Sequence, residues 1–594
     1  MSAPYVVTSI SPNLIQLEVT DMEAFATNGD VHFSIGSYLK ISDGHIQVIA
    51  VVRSYKIKDP VAKAATQSSN THNSFIVDTQ PIGFIKNGVF KRGGQQIAIP
   101  PTEVEVADKD ILSLIYTQSK SEDCASLEVG VLAIDHKTRV QIDGNKFFSK
   151  HIAVVGSTGS GKSCTVAKIL QEAQAQSEDQ KTKKIFNNSH IVIFDIHSEY
   201  LSAFPKAQNI NVRNLILPYW LMNGEELEEM FIESNEQNSH NQISQFRHAV
   251  IENKKKYNLG IDATYDTPVY FSIQEVHNYI ANLNAEIIGK TPEDGGLPKL
   301  SDGTLIKCRE EKYFDAVLSF VAPSTATLTK ASSGPFNGEF DRFIRRLEIK
   351  IGDQRLSFLL KPKNTDGTEP RTQDFGSIFQ TYVGYTSNAA SNLTIYDLGG
   401  IPFEETSIVV SLISRLLFDF AFHYTSLRKE AGKTGNDLPL MIVYEEAHKY
   451  VPNKALAKYT SARTAIERIA KEGRKYGISL MIVSQRPSEI SDTIFSQCNN
   501  FVVMRLTNPA DQTYVTRLLP DTISNITDNL PGLESREAIL IGDAVQIPAV
   551  IMIDKIEHKP SSENIAVLSE WRKDWITLVL DNLANKMQKL KKAG

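Results

Sequence analysis

The octapeptide Gly156-Ser157-Thr158-Gly159-Ser160-Gly161-Lys162-Ser163 constrains this chain more than any other stretch. It follows a compact apolar run, HIAVVG, and leads into CTVAKILQEAQAQ, whose apolar residues recur at helical spacing. A glycine-rich turn between a buried strand and a helix N-terminus aims successive backbone N–H groups and the positive end of the helix dipole at one point, which makes a phosphate cradle. In such a loop Lys162 reaches the terminal phosphates of a nucleotide and the Ser163 hydroxyl ligates magnesium; Cys164 closes the contact stretch. The expected cofactors are therefore ATP and Mg2+. The chain is predicted to be α/β, built on a P-loop NTPase core.

At 594 residues the chain exceeds one ordinary core, so several domains or large insertions are expected. A composition 41% apolar and 22% charged is that of a globular protein. The formal charge of −6 supplies no global field for a polyanion, so any nucleic-acid contact must come from a local cluster. Cys124, Cys164, Cys308 and Cys498 lack zinc-site spacing and the density of a disulfide framework, as in a reducing compartment. The N-terminus shows no basic-then-apolar leader, and no 18-residue apolar run stands out. The expectation is a cytoplasmic protein that does not span a membrane.

Along the chain, residues 1–145 carry short β-rich runs such as HIQVIAVVR and TEVEVAD between turn residues, which predicts an N-terminal β-barrel. Residues 146–205 open the ATPase core. Residues 386–560 return to it with SNLTIYDLGG, PLMIVYEEAH, ISLMIVSQRP and NNFVVMRL, apolar runs with polar ends that suit a parallel sheet covered on both faces. The stretch between, 206–385, holds GEELEEMFIESNEQ, SQFRHAVIENKKKY, SIQEVHNYIANLNAEI and GEFDRFIRRLEIKI, which predict an inserted helical subdomain. Residues 561–594 form a closing helical segment. The basic run around Lys181, Lys183 and Lys184 suits a solvated loop.

A phosphate cradle needs acids at a distal strand end, and Glu445 and Glu446 follow LMIVY directly. One carboxylate, Glu445, is assigned to the magnesium shell and Glu446 to polarising the attacking water. Asp195, with His197 and Glu199, ends another core strand, where the crevice of an open α/β sheet would set it beside the nucleotide. Gln485 is placed to sense the γ-phosphate, because an amide both donates to phosphate and accepts from water. Asp397 ends a strand similarly and ranks lower; His448 suits a structural role better than a catalytic one. Arg474, in the basic stretch with Arg468, Lys471 and Lys475, is the candidate for an arginine presented to a neighbouring subunit. Lys454, Lys458 and Arg463 are candidates for DNA contact, with a solvated loop equally compatible.

In combination these stretches resemble the HerA helicase-translocases, relatives of the FtsK-type DNA pumps. The resemblance rests on SKHIAVVGSTGSGKS, on FDIHSEY beside the family's D-P-H-G-E-Y, on VYEEAHKYVP, on EGRKYGISLMIVSQRPSEI and on LPGLESREAILIGD. It implies a RecA-like core with a helical insertion, in a homo-hexameric ring with an N-terminal β-barrel for partner docking and a C-terminal brace on the neighbour. It also implies translocation of double-stranded DNA and work with a co-encoded effector, a nuclease or a sirtuin-like NAD-consuming enzyme, as in anti-phage defence. Lys150 departs from a usual arginine, Ile196 and Ser198 from Pro and Gly, and Glu445 from a frequent Asp. The alternative is a ring scaffold that licenses an effector, with hydrolysis as a switch.

Overall fold

The computed structural model describes residues 4–22, 25, 33–42, 46–58, 74–93, 103–117, 125–175, 187–232, 239–385, 391–401, 403–453, 461–518, 527–562, 565–576, 580, 582–585 and 587. The first strands are β1 (Tyr5–Ile10), β2 (Ile15–Val19), β3 (Tyr38–Ser42), β4 (Gln47–Ile57), β5 (Phe75–Lys86), β6 (Val89–Arg92) and β7 (Glu103–Val106). They pair antiparallel in the order β1-β2-β5-β4-β3-β7, with β6 beside β5. Period-two alternation sends Leu17, Ile41, Val48, Ala50, Val77 and Val104 into one small core. Two register shifts in β4, at Ile49/Ala50 and Val52/Ser54, bend the sheet. Its two end strands meet through Tyr5, whose hydroxyl accepts the Val104 N–H at 2.8 Å; no β1–β7 ladder forms among the described residues.

The larger sheet has eleven strands. In chain order they are β8 (Ser126–Leu132), β9 (Asp135–Asp143), β10 (His151–Val155), β11 (His190–Asp195) and β12 (Gln208–Asn211), then, after the short pair β13 (Ile287–Gly289) and β14 (Ala331–Ser333), β15 (Leu393–Asp397), β16 (Leu440–Tyr444), β17 (Ile478–Ser484), β18 (Cys498–Met504), β19 (Glu537–Gly542) and β20 (Ala549–Ile553). The spatial order is β12-β15-β11-β16-β17-β10-β18-β19-β20-β8-β9. The seven strands from β12 to β18 run parallel, and the remaining pairings are antiparallel. Both faces of the parallel part are covered, which is why its strands are apolar throughout. Ile152 and Val154 pack with Val166, Ile169 and Leu170 of the helix Lys162–Ala175, while Ala153 and Val155 join a second cluster on the other face.

Two boundaries differ from the sequence reading. β8 and β9 fall inside the expected N-terminal unit 1–145, yet β8 pairs with β20 and extends the core sheet. Their inward residues Leu127, Val129, Val140 and Ile142 share the cluster of the P-loop helix. A hairpin's own pattern cannot reveal a partner strand far along the chain, and this explains the difference. Likewise β12, placed in the insertion 206–385, pairs with β15 as the edge of the core sheet.

The helices Gly224–Phe231, Ser239–Tyr257, Ile273–Ala285 and Asp341–Gly352 occupy the expected helical stretch. Their apolar faces merge with the ATPase cluster instead of closing a core of their own, because Leu227, Phe246, Ile280 and Phe343 pack in the same group as Val155 and Phe194. Buried Glu226 anchors this junction: it completes a capping box with Asn223 and accepts from Arg415 at 2.9 Å and Ser411 at 2.9 Å on the long helix Phe403–Glu430. That helix is long and apolar enough, by length and composition, to cross a membrane, a stretch the sequence reading passed over; 72% of its apolar window is buried inside the fold.

Candidate nucleotide site

An aromatic ladder levels three strand ends before any functional residue appears. The Phe194 ring stacks on Tyr396 at 5.4 Å and on Tyr444 at 5.2 Å, from the neighbouring strands β15 and β16. Such pairs contribute about 0.5–1.5 kcal/mol each beyond burial. The next residues, Asp195, Asp397 and Glu445, therefore emerge side by side at the carboxyl ends of the strands, with the Glu445 N–H donating to the Phe194 carbonyl at 3.2 Å. The P-loop leaves β10 at the same end of the sheet, where an open α/β fold binds its ligands.

The loop's shape depends on its glycines. Gly161 has φ +101°, in the left-handed region, and a Cβ on Gly156 would come within 2.7 Å of Ser160 Oγ and 2.8 Å of Met504 Cβ. Ser157 is held by the Arg505 carbonyl (2.7 Å) and by Thr507, whose N–H donates to Ser157 Oγ at 3.0 Å, and the Arg536 N–H caps the Ser160 carbonyl at 3.0 Å. Arg505, Thr507 and Arg536 were missed in the sequence because nothing near them in the chain points to a phosphate loop. Lys162 is buried and donates to the Ser157 carbonyl at 3.2 Å. Burial pulls its ammonium down from the usual range, and Glu446, Glu445 and Glu199 oppose that by favouring its charge. Cys164 is half-buried on the first turn of the helix.

Glu445 and Glu446 are both buried. Burial drives the Glu445 carboxyl well above its ordinary value, helped by the negative charges of Asp195 and Glu199. Asp195 is also raised by burial, although it accepts N–H bonds from Tyr200 (2.9 Å) and His197 (3.1 Å). Glu446 adopts a left-handed backbone, φ 48° and ψ 46°, costing about 1–3 kcal/mol in a non-glycine residue. The turn re-aims its side chain toward Gln485, whose amide donates to Glu446 Oε1. The Gln485 carbonyl oxygen in turn accepts from Thr158 of the P-loop. Glu446, Gln485 and the loop thus form one chain of contacts.

Two residues deserve more weight than the sequence suggested. His448 Nδ1 lies 3.3 Å from Glu446 Oε2 and 3.2 Å from Ser484 Oγ, so it touches the assigned base. Glu199 Oε2 accepts from Ser163 Oγ at 3.0 Å, which joins it to the magnesium-ligand position. The i+4 spacing from Asp195 placed Glu199 nearby but could not show which way it turns. Asp397 instead ties two turns together: it accepts from Ser198 Oγ at 2.6 Å and from the Gly399 N–H at 3.1 Å.

Arg474 is not part of this constellation. It sits on the turn Gly473–Tyr476 before β17, while Gln485 follows β17, so about 20 Å of strand separates them. It is exposed and bonds only weakly to Asn499, at 3.3 Å. Lys150 lies at the same remote end and pairs with Asp543. Between them His151 is buried: Leu480 N–H donates to Nδ1 at 3.0 Å, which leaves Nε2–H to donate to the Ala470 carbonyl at 2.9 Å. Burial holds this imidazole at about 4, against an ordinary 6.5. The unfolded chain therefore binds the proton first, and stability is lost as pH falls from 6.5 toward 4, at up to about 1.4 kcal/mol per pH unit. Denaturant titrations at pH 7 and pH 5 should show a smaller drop in His151→Gln than in the unsubstituted chain; equal drops would remove His151 from the acid response.

Three buried side-chain oxygens of these elements lack a hydrogen-bond partner: Ser160 Oγ, Glu445 Oε2 and Glu446 Oε2. Orphans of this kind each cost about 1–3 kcal/mol, so the site is built to meet a ligand. Among the described residues no three His, Cys, Asp or Glu side chains close on a point as a metal cage. Magnesium needs none, since one or two protein oxygens suffice when phosphate and water complete the shell. Ser163, whose hydroxyl meets the Glu199 carboxylate at 3.0 Å, fits that donor set, and Glu445 is the acid of the adjoining strand end. Lys454 and Lys458, with the basic run 181–184, lie outside the described residues, and Arg463 pairs with Glu467 at 2.7 Å.

Residues 127–312 match the family model for the central domain of helicase HerA. The chain is 25% identical over 494 residues to a probable DNA double-strand break repair helicase HerA of Methanocaldococcus jannaschii, covering 80% of this chain and 85% of that one. With the DNA double-strand break repair helicase HerA of Pyrococcus furiosus it shares 23% identity, covering 79% of this chain and 77% of that one. The chain is thus similar to HerA helicases over about four fifths of its length. Its P-loop and acidic strand ends, with this similarity, make the protein an NTPase. Among solved structures it aligns with VirB4 of Thermoanaerobacter pseudethanolicus at 14% identity, TM-score 0.43, over 73% of this chain and 97% of that one. It also aligns with the plasmid coupling protein TrwB in complex with ADP and Mg2+, at 13% identity, TM-score 0.42, over 75% of this chain and 91% of that one.

Proposed function

We propose that this chain is an ATP-driven translocase of double-stranded DNA that works as a hexameric ring, each site being completed by Arg474 of a neighbour. The observation that carries the reading is the divided site: cradle, acids and Gln485 gather at one end of the sheet, and the candidate arginine stands exposed at the other. An exposed guanidinium some 20 Å from its own nucleotide cannot act there, but can act on the next subunit's. The C-terminal segment adds a second support, for Leu568, Trp571, Trp575 and Ile576 are exposed and call for an apolar cover.

In this reading Lys162 neutralises the terminal phosphates and the loop amides orient them. The Ser163 hydroxyl and Glu445 would hold magnesium, whose chemistry there would be to polarise the γ-phosphoryl group. Glu446 takes the proton of the attacking water on Oε2 while Gln485 fixes its Oε1. Asp195 braces the loop after β11 through the His197 and Tyr200 amides. The products are ADP and phosphate.

The partner belongs to the same proposal: a co-encoded effector, a nuclease or a sirtuin-like enzyme, docking through the N-terminal β unit, in the cytoplasm and in the context of anti-phage defence. The test is ATP turnover of the full chain with and without duplex DNA. Turnover should rise with DNA and vanish in Lys162→Ala; turnover indifferent to duplex DNA, in a ring that still hydrolyses ATP, would sink the translocase reading and leave the scaffold.

A further inference from the structure

After β20 the chain does not run out into solvent at once. Arg139 grips Asp554 with two bonds, 3.0 and 2.8 Å. The His558 carbonyl accepts from Gln171 Nε2 of the P-loop helix at 3.0 Å, and the Lys559 carbonyl accepts from Ser202 Oγ at 2.7 Å. The Ser561 N–H then donates to the Glu199 carbonyl at 2.9 Å. Only beyond this clasp does the exposed apolar run with Leu568, Trp571, Trp575 and Ile576 begin.

Glu199 is thereby joined to both ends of a connection. Its carboxylate accepts from Ser163 Oγ at 3.0 Å. Its carbonyl belongs to the peptide unit shared with Tyr200, whose N–H donates to Asp195 Oδ2 at 2.9 Å. One peptide plane therefore faces an active-site acid on one side and Ser561 on the other.

We propose that Glu199 is a positioning residue that couples magnesium at the Ser163 hydroxyl to the clasp on residues 558–561, and so to presentation of the apolar C-terminal segment. The coupling rests on Ser163 as a magnesium ligand. A hydroxyl whose lone pair turns to a cation re-aims its proton, and the Glu199 carboxylate is drawn from that proton toward the water shell of the cation. The peptide plane tilts with it, and the Ser561 bond loosens. Differential contacts of this kind shift the populations of the two states.

The test is backbone hydrogen exchange of the full chain over 555–562, read by mass spectrometry with no nucleotide, with ADP in EDTA and with ADP plus Mg2+, alongside calorimetric ADP binding. Exchange should speed up at least about fivefold with Mg2+ and ADP and remain at the nucleotide-free rate in EDTA. Acrylamide quenching of the exposed Trp571 and Trp575 should change in step, the third tryptophan, Trp220, being buried. Glu199→Gln should bind ADP yet lose the response to Mg2+. Ser202→Ala, remote from the phosphates, should exchange fast in every condition. Mg2+-dependent ADP binding without any change over 555–562, or a full response in Glu199→Gln, overturns the coupling. Failure of Mg2+ to alter ADP binding at all removes the Ser163 assignment and the coupling with it.

Discussion

Glu446→Gln lowers ATP turnover by about 10²- to 10⁴-fold while leaving nucleotide binding nearly intact, the range expected when a positioned general base is lost. The substitution keeps the shape of the side chain and an oxygen for the Gln485 amide, so the contact chain from Thr158 through Gln485 survives. What disappears is a basic oxygen at the place of Oε2, a buried acceptor with no hydrogen-bond partner of its own. Phosphate release in single and multiple turnover, next to a nucleotide titration, separates the two effects. Turnover within tenfold of the unsubstituted chain would move the proton acceptor elsewhere, with His448 the nearest alternative at 3.3 Å.

Arg474→Ala should be as severe, at about 10³-fold or more, because an arginine supplied in trans neutralises charge that develops only in the transition state. Arg474→Lys should recover little of it, since an ammonium lacks the planar fork. The decisive measurement mixes two inactive variants. In rings built from Arg474→Ala and Glu446→Gln subunits, some sites combine an intact Glu446 with an intact Arg474 from the neighbour, so turnover should reappear on mixing. A residue acting within its own subunit gives no such rescue, and a flat mixing curve would withdraw Arg474 from the site.

Much of this was legible before any coordinates. The cradle at Gly156–Ser163 is contiguous, its chemistry residing in backbone N–H groups and one helix start, so local spacing describes it well. The acids were legible for a related reason: a buried parallel strand must end where the chain turns, and Asp195 and Glu445 stand at such ends. The orientation of Glu199 and the contact between His448 and Glu446 were not, because each depends on a turn in an uncommon backbone region, Ser198 at φ 57° and Glu446 at φ 48°. Single residues in those regions are not marked by composition or periodicity.

The boundaries show the same limit at larger scale. A β-rich pattern identified strands throughout residues 1–145 but not their sheets, since alternation specifies a face and not a partner. The helical stretch was identified by period, while its fusion to the ATPase core required Glu226 to meet Arg415 from a helix much later in the chain.

The sequence alone thus determined the P-loop at Gly156–Ser163, the α/β character of the core and the identity of the acids, because these follow from spacing, period and local backbone chemistry. Only the tertiary structure decided that β8 and β9 complete the core sheet, that Arg474 lies at the opposite end of β17 from Gln485 and that Glu199 bridges Ser163 to Ser561. Those outcomes depend on which distant segments compete to cover the same buried surface and backbone groups, and that competition is settled only when the whole chain is packed.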